Sequence, residues 1–201
     1  MLSPIRLAII LPALCFLLSA VHAQQRGSSG AGLKLSGQWT TLGGAGTDYR
    51  PVAGALGGLY VPVLVGNRFE LQPELLVSYQ GARTRVDEGV EHQLRLVYVQ
   101  LPILAKLYVS NALNAQFGVQ AGKLLSARID DQRVEDGFEP WDLGFVGGIG
   151  VDLMSGFDIS ARYYVGHTPI LSDPTDEFPL NRSAQLGFGY RIAHFQRRSS
   201  H

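Results

Sequence analysis

The chain shows a long alternation of apolar and polar residues that begins at Leu33. A repeat of two residues is the period of a β-strand, because successive side chains in a strand point to opposite faces. The alternation is clearest in the segments 69–80, 113–122, 157–166 and 184–192. A helix would scatter these apolar residues around its circumference, whereas a strand sorts them onto one face. The pattern therefore predicts an all-β fold.

Strand-like segments recur along the whole of this region. We predict eight strands, over 31–41, 52–63, 68–80, 93–108, 113–128, 142–153, 157–168 and 183–192. Each is about ten residues or longer, the length that a tilted strand needs to cross the hydrocarbon core of a membrane. The second segment is the least regular, because Gly54, Gly57 and Gly58 interrupt it.

The connections between the predicted strands alternate in length. Long polar connections follow every odd strand, over 42–51, 81–92, 129–141 and 169–182. Short connections with turn-forming residues follow the even strands, over 64–67, 109–112 and 154–156. Strict alternation places all long loops at one end of an up-and-down meander. Outer-membrane barrels have this arrangement, with tight periplasmic turns and longer external loops. We therefore predict an eight-stranded antiparallel up-and-down transmembrane β-barrel.

The polar face of the predicted strands carries charge of both signs among glycine, serine and glutamine. In a soluble barrel this polar face would lie outside, and the apolar face would surround a ligand. In a membrane barrel the polar face would lie inside, where buried charges must pair. The glycine-rich, mixed-charge face favours the membrane, because an eight-stranded interior is just filled by side chains. We predict a structural lumen network of Lys34, Glu70, Glu74, Lys106, Asp152, Asp158, Arg162 and Arg191. A translocation path through Glu74, Lys106 and Arg162 is the alternative.

Aromatic residues near the predicted strand ends are consistent with the same arrangement. Aromatic side chains gather where a membrane meets water. The candidates for such a girdle are Trp39, Tyr60, Tyr79, Tyr108, Trp141, Tyr163 and Tyr190.

The first residues have the features of a secretory signal peptide. A basic start (Met1–Arg6) precedes an apolar run (Leu7–Leu18), and Val21-His22-Ala23 supplies a cleavage site. We predict cleavage after Ala23, with an uncleaved anchor as the alternative. A lipoprotein signal is excluded because Cys15 lies inside the apolar run. We further predict a flexible segment at 24–30, the barrel at 31–192 and a basic tail at 193–201.

The composition excludes several kinds of functional site. Cleavage would remove the only cysteine, and with it any disulfide or thiolate site. The chain has 17 basic and 17 acidic residues, so no basic surface for nucleic acid is expected from its overall charge. No apolar run after residue 23 approaches the roughly 20 residues of a transmembrane helix.

Motifs that would indicate catalysis or a cofactor are incomplete. The glycine runs at 43–46 and 147–150 lack a phosphate-binding fingerprint. The histidines are dispersed, and the acidic residues of 130–136 resemble a solvated loop more than a calcium site. Ser160 and His167 would be about 20 Å apart along one strand. We therefore predict no enzyme activity, no metal and no cofactor.

Several segments resemble the PorT-like outer-membrane β-barrel family, which is common in the Bacteroidetes group. The resemblance covers about 33–192 and is carried by Leu71–Gly81, Val99–Tyr108, Asp142–Gly150, Ala161–Gly166 and Asn181–Ile192. Gln100 departs from the family pattern, which usually has an acid there. The tail after Ile192 also departs from the terminal aromatic residue on which outer-membrane proteins often end. The resemblance implies an integral outer-membrane barrel.

Three functions are compatible with the sequence. The leading hypothesis is a structural or interaction scaffold that uses the loops 81–92, 129–141 and 169–182 for recognition. The alternatives are a narrow pore or an accessory of transport or secretion, and a soluble periplasmic lipocalin-like binder. The expected partners are outer-membrane lipid, the barrel-insertion machinery and an extracellular or secretion-system protein. The expected location is the outer membrane.

Overall fold

The structure, a computed structural model, describes residues 29–44, 49–87, 90–130, 132–134, 137–171 and 178–194. Within the strands, the side chains of 84–87, 90, 91 and 194 are also left undescribed. The predicted signal peptide and the tail beyond His194 lie outside the described residues, as does most of the segment 24–30.

Eight long strands account for most of the described chain. We number them β1 to β8: Gly30–Gly43, Val52–Tyr60, Phe69–Asp87, Val90–Tyr108, Leu113–Ile129, Trp141–Asp152, Phe157–Pro169 and Leu180–His194. Three two-residue strands extend the sheet at its ends: Tyr49–Arg50, Val63–Leu64 and Gln132–Arg133. Among the described residues there is no helix long and apolar enough to cross a membrane.

The eight strands form a closed antiparallel ring. Each strand pairs with the next in sequence, and β1 also pairs with β8, from Gly30 opposite His194 to Gly43 opposite Leu180. The predicted eight-stranded up-and-down barrel is thus confirmed. Each of the eight predicted segments coincides with one strand, including the irregular second.

The ladder between β2 and β3 is interrupted near the end that carries the long loops. Pairing runs from Tyr60 opposite Glu74 to Ala55 opposite Tyr79, and resumes at Arg50 opposite Arg83. Between these points, 51–54 and 80–82 form no ladder pairs with one another. Side chains of β1 fill the gap from inside the barrel. The Thr40 hydroxyl donates to the Gly81 carbonyl at 2.8 Å and accepts from the Gly81 N–H at 2.9 Å. We call this interruption the seam.

One predicted loop is wrong. The segment 81–92 was expected to be a long external loop, but β3 continues to Asp87 and β4 begins at Val90. The charged residues that suggested a loop lie on strands that extend past the apolar belt of the barrel. Polar outward-facing residues are favourable there, because the wall faces water or headgroups rather than hydrocarbon. Shorter extensions occur at 129–141, where Gln132–Arg133 pairs back onto β5.

The two faces of the sheet have opposite polarity, with the apolar face outside. Leu35 is 69% exposed, Phe145 63% and Ile149 61%, whereas Glu70 and Lys106 on the inner face are fully buried. A protein in water buries its apolar face rather than its charges. The soluble lipocalin-like alternative is therefore wrong, because that fold requires the apolar face to point inward.

Candidate functional site

The lumen near the short-turn end is organised around two carboxylates. Glu74 is the first: its carboxylate contacts Lys34 Nζ at 3.2 Å and Arg162 NH1 at 2.9 Å. It also accepts a 2.5 Å hydrogen bond from Gln72. All four side chains are buried, so the carboxylate exchanges water for two cations and an amide donor.

Glu70 is the second carboxylate, and it shares its cations with Asp152. Lys106 Nζ lies 3.5 Å from both carboxylates. Arg191 lies 3.5 Å from Glu70 and 3.7 Å from Asp152. The Tyr108 hydroxyl donates to Asp152 at 2.6 Å. Two cations thus face two anions, which leaves this group electrically balanced.

A chain of amides connects the two groups. Arg162 donates to Gln116 at 2.7 Å, Gln116 donates to Asn114 at 2.7 Å, and Asn114 donates to Asp152 at 3.0 Å. Asp158 lies apart from this chain and accepts a 2.7 Å hydrogen bond from the Tyr60 hydroxyl. The structure therefore places all eight predicted lumen residues inside the barrel and joins seven of them into one network.

The position of two aromatic residues corrects the predicted girdle. Tyr60 and Tyr108 are 1% and 5% exposed and point into the lumen, where their hydroxyls bind carboxylates. The other five candidates face outward: Trp39, Tyr79, Trp141, Tyr163 and Tyr190. The sequence contains a signal for Tyr108, which shares the parity of Lys106 on its strand.

Glycine makes room for the lumen side chains. A Cβ at Gly189 would lie 2.0 Å from the Asp158 carboxylate, and a Cβ at Gly150 would lie 2.3 Å from the Gln116 amide. Real Cβ atoms do not approach other atoms this closely. The glycines of the inner face therefore leave the space in which the polar network packs.

Toward the long-loop end, the lumen becomes first amide-rich and then apolar. Gln38, Ser78, Gln80, Gln100 and Gln120 are all buried there, and Gln38 donates to Ser78 at 2.8 Å. Beyond them, two apolar clusters fill the interior, and Phe138 packs against both. The first contains Leu42, Ala82 and Ile170, and the second contains Leu96, Tyr98 and Ala127. Gln100 thus lies among other amides rather than in the charged region.

An apolar cavity opens beside these clusters at the long-loop end. Its volume is about 340 Å³, and its lining includes Leu42, Tyr49, Leu94, Phe138 and Ile170. We call it the mouth cavity. Sequence reasoning missed it because the inner face was predicted to be polar along its whole length. The inversion is visible on β4, where Leu94 and Leu96 share the parity of Gln100 and Lys106.

The arrangement offers little for catalysis within the described residues. Ser160 is buried in the lumen and His167 is exposed on the same strand, so the pair does not meet. The part of the chain that the structure describes contains no group of three potential metal ligands. Of the acidic residues at 130–136, Asp130 contacts the His92 ring, and the other three acids lie outside the described residues.

The apolar outer wall, paired polar lumen and closed ring define an integral β-barrel of the outer-membrane type. The family comparison gives the same class. The chain belongs to the outer membrane protein β-barrel domain family, whose model matches residues 23–172. Its location is therefore the outer membrane. The finer resemblance to the PorT-like branch remains a sequence-based prediction.

Solved structures share the fold at low sequence identity. The neisserial surface protein NspA superposes with a TM-score of 0.58 at 10% identity, covering 83% of this chain and all of that one. Ail, the attachment invasion locus protein of Yersinia pestis, gives 0.50 at 15% identity over the same shares. Identities this low establish the fold alone. No curated protein matches the chain.

Proposed function

We propose that this protein is a non-conducting outer-membrane scaffold that uses its extracellular end to recognise a partner. The observation that carries the proposal is the filled interior. Charged side chains from six strands occupy the lumen near one end, and apolar clusters occupy it near the other. A solute would have to displace paired charges and then a packed apolar region, and both steps are costly.

The recognition role is supported by the mouth cavity. An apolar concavity with a few polar groups is the usual form of a binding site. His92 contributes to its edge, and Tyr49 and Phe138 contribute aromatic surface. We propose an extracellular or secretion-system protein as the partner. Outer-membrane lipid and the barrel-insertion machinery are proposed as general partners. We further propose that the protein has no enzymatic activity.

Planar-bilayer recording tests the closed interior. The purified barrel should produce no conductance steps, and the same preparation should run at a shifted position on an unboiled detergent gel, which shows that it is folded. A matched variant, Glu74→Ala with Arg162→Ala, removes two of the charged side chains that fill the lumen. Steady channels in the wild-type barrel would contradict the proposal and support the narrow-pore alternative.

Substitution at the mouth tests recognition. Phe138→Ala removes an aromatic side chain from the cavity and should reduce binding of cells to a surface that carries the partner. Phe145→Ala makes the same chemical change on the outer wall and should leave such binding unchanged, provided both variants reach the outer membrane equally. Equal binding by both variants would remove the mouth from the proposal.

A further inference from the structure

His92 lies at the edge of the mouth cavity, and an acid holds its ring in place. The Nδ1 atom of the ring contacts one oxygen of the Asp130 carboxylate. The other oxygen of that carboxylate accepts a hydrogen bond from the Gln93 N–H at 2.9 Å. The Asp130 N–H in turn donates to the Gln93 carbonyl at 3.2 Å. Strand β4 thus fixes Asp130, and Asp130 fixes the orientation of the imidazole.

The contact with Asp130 determines the hydrogen-bonding character of the His92 ring. A neutral imidazole has one N–H and one unprotonated nitrogen, and the nitrogen that faces a carboxylate carries the hydrogen. Nδ1 therefore donates to Asp130, and Nε2 is an acceptor. Nε2 has no hydrogen-bond partner in the part of the chain that the structure describes. The His92 side chain is 40% exposed, so a molecule that enters the mouth can reach the ring.

The remainder of the mouth cavity is mainly apolar. Seven of its nine lining residues are apolar, and Tyr49 and His92 are the other two. Phe138, one of the seven, also packs against both buried apolar clusters. The cavity volume of about 340 Å³ lies at the small end of the range for ligand sites, so the cavity suits one large side chain. A group that binds there must be mainly apolar and must offer a hydrogen-bond donor to Nε2.

Few protein side chains meet both requirements. Lysine and arginine have donors, but burying their charge in an apolar cavity is costly. Asparagine and glutamine are polar over most of their side chains, and serine and threonine are too small to fill the cavity. Tyrosine and tryptophan combine a large apolar ring with one polar hydrogen, and both are enriched at the energetically important centres of protein interfaces.

We propose that the mouth cavity binds an aromatic side chain with a hydrogen-bond donor, such as tyrosine, which the protein partner inserts from outside. The donor binds Nε2 of His92, and the aromatic ring packs against Phe138 and the aliphatic residues of the lining. This inference rests on the proposed recognition by the mouth cavity and specifies which side chain is recognised. His92 determines the specificity, and Asp130 is a positioning residue that keeps Nε2 unprotonated.

Titration of the purified barrel in nanodiscs with two capped tripeptides tests the proposal. The peptides glycine–tyrosine–glycine and glycine–phenylalanine–glycine differ only in the phenol hydroxyl, so the difference in their affinities measures recognition of the donor. NMR of the barrel with isotope-labelled histidine follows the binding. The tyrosine peptide should bind about threefold to tenfold more tightly, which corresponds to one hydrogen bond. It should also shift the His92 Nε2 resonance, and the phenylalanine peptide should not.

Two variants separate the acceptor from the acid that positions it. His92→Phe keeps a ring at the cavity but removes the acceptor, so it should bind both peptides with equal affinity. Asp130→Asn keeps the hydrogen bond from the Gln93 N–H through its amide oxygen, which places its NH₂ group against Nδ1 of His92. The hydrogen of the ring should then move to Nε2. Its resonance should shift toward that of an N–H nitrogen, and the preference for tyrosine should disappear.

His167→Phe is the matched control, because His167 is exposed on β7 and is not one of the nine lining residues. This variant should keep the preference for tyrosine, and the unboiled gel shift should show that every variant is folded. Equal affinity of the wild type for both peptides would overturn recognition of the donor and leave the mouth as a binding site.

Binding of neither peptide would overturn the aromatic occupant. The effect of Phe138→Ala on partner binding would still decide the proposed function separately, because that test uses the whole partner. A capped glycine–lysine–glycine peptide that binds as tightly as the tyrosine peptide would assign the cavity to a cation and overturn the inference. A preference for tyrosine that survives in His92→Phe would overturn the role of His92.

Discussion

At the scale of the residue, the lumen shows how a buried charge is kept in a barrel. Glu74 has two cations and one amide donor around its two oxygens. Burying a carboxylate is unfavourable unless such partners replace its water. Burying Lys34 or Arg162 without Glu74 would also be unfavourable, so the three charged groups depend on one another.

Replacing this carboxylate should be costly. Glu74→Gln keeps the shape of the side chain but leaves Lys34 and Arg162 without their shared counter-charge, so we expect a loss of about 3–5 kcal/mol in the free energy of unfolding. Urea unfolding in lipid vesicles, followed by the gel shift, measures it. Glu139→Gln makes the same chemical change at a half-buried position in the connection between β5 and β6 and should change stability by less than about 0.5 kcal/mol. A similar small effect at Glu74 would show that the lumen charges are not interdependent.

Asp130 gives a pH dependence outside the membrane. The Gln93 N–H, followed by the His92 ring, lowers the pKa of Asp130 below its ordinary value of 3.8. A depressed carboxyl pKa stabilises the fold above the unfolded pKa, and this contribution disappears as the pH falls through the folded value. Carbon-detected NMR of the Asp130 carboxyl should therefore give a midpoint below 3.8. In His92→Ala the midpoint should rise but stay below 3.8, because the backbone donor remains; a midpoint at or above 3.8 in the wild type would contradict this.

The sequence predicted which charged residues enter the lumen but not which of them meet. Parity along a strand assigns Lys34, Glu74 and Arg162 to one face, and this requires only the period of two. Their contact depends on how far each strand is staggered against the next around the ring, which no single segment encodes. Because the stagger between strands could not be predicted, Tyr60 was assigned to the aromatic girdle, and its hydrogen bond to Asp158 was missed.

At the scale of the element, the seam is the place where a strand pair is replaced by side chains. Thr40 reaches across from β1 and makes both hydrogen bonds of Gly81, and Gln38 donates to the Tyr79 carbonyl at 2.9 Å. Backbone groups without partners are costly in a membrane protein. The Thr40 and Gln38 side chains therefore supply hydrogen bonds that the strand ladder supplies elsewhere in the barrel.

Removing the Thr40 hydroxyl should loosen the seam. Thr40→Val keeps the volume and leaves the Gly81 N–H and carbonyl unpaired, which should cost about 1–3 kcal/mol and speed hydrogen exchange at Gly81. Amide exchange measured by NMR in nanodiscs checks both effects. Ser36→Ala is the control, because the buried Ser36 hydroxyl has no hydrogen-bond partner in the described structure. Equal protection of Gly81 in Thr40→Val and wild type would show that the seam has another support.

Strand lengths were less predictable than strand positions. The strands β3 and β4 were predicted to stop where their outward residues become charged, at about 80 and 93. Each instead continues, because the requirement for apolar outward residues applies only within the hydrocarbon. Sequence alone gives the alternation but not the depth at which the membrane ends. The apolar interior at the mouth was missed for a different reason, because the inner face was predicted to be polar along its whole length.

At the scale of the whole molecule, the barrel is uneven around its circumference. The seam interrupts the ladder between β2 and β3, whereas β6 and β7 pair without a break from Asp152 opposite Asp158 to Gly144 opposite Gly166. Large apolar residues are exposed on both sides of the outer wall, such as Leu75 on β3 and Phe145 on β6. The unevenness therefore lies in the backbone pairing and not in the apolar cover of the wall.

Closure of the ring should be required for a stable product. A chain that ends at residue 179 lacks β8 and leaves β1 and β7 as open edges, which favour aggregation. We expect it to show no gel shift when unboiled. A chain that ends at His194 keeps every paired strand and should retain the shift. A folded product from the shorter chain would show that seven strands can close on their own.

The pairing of β1 with β8 also determines the order of events during folding. These strands are separated by nearly the whole described chain, so their contact closes the longest loop in the molecule. Contacts between distant segments are slow to form, because the entropy of the intervening chain must be lost first. The seven hairpins from β1–β2 to β7–β8 can form locally beforehand. The joining of the two ends is therefore the step that should limit the rate at which the barrel assembles.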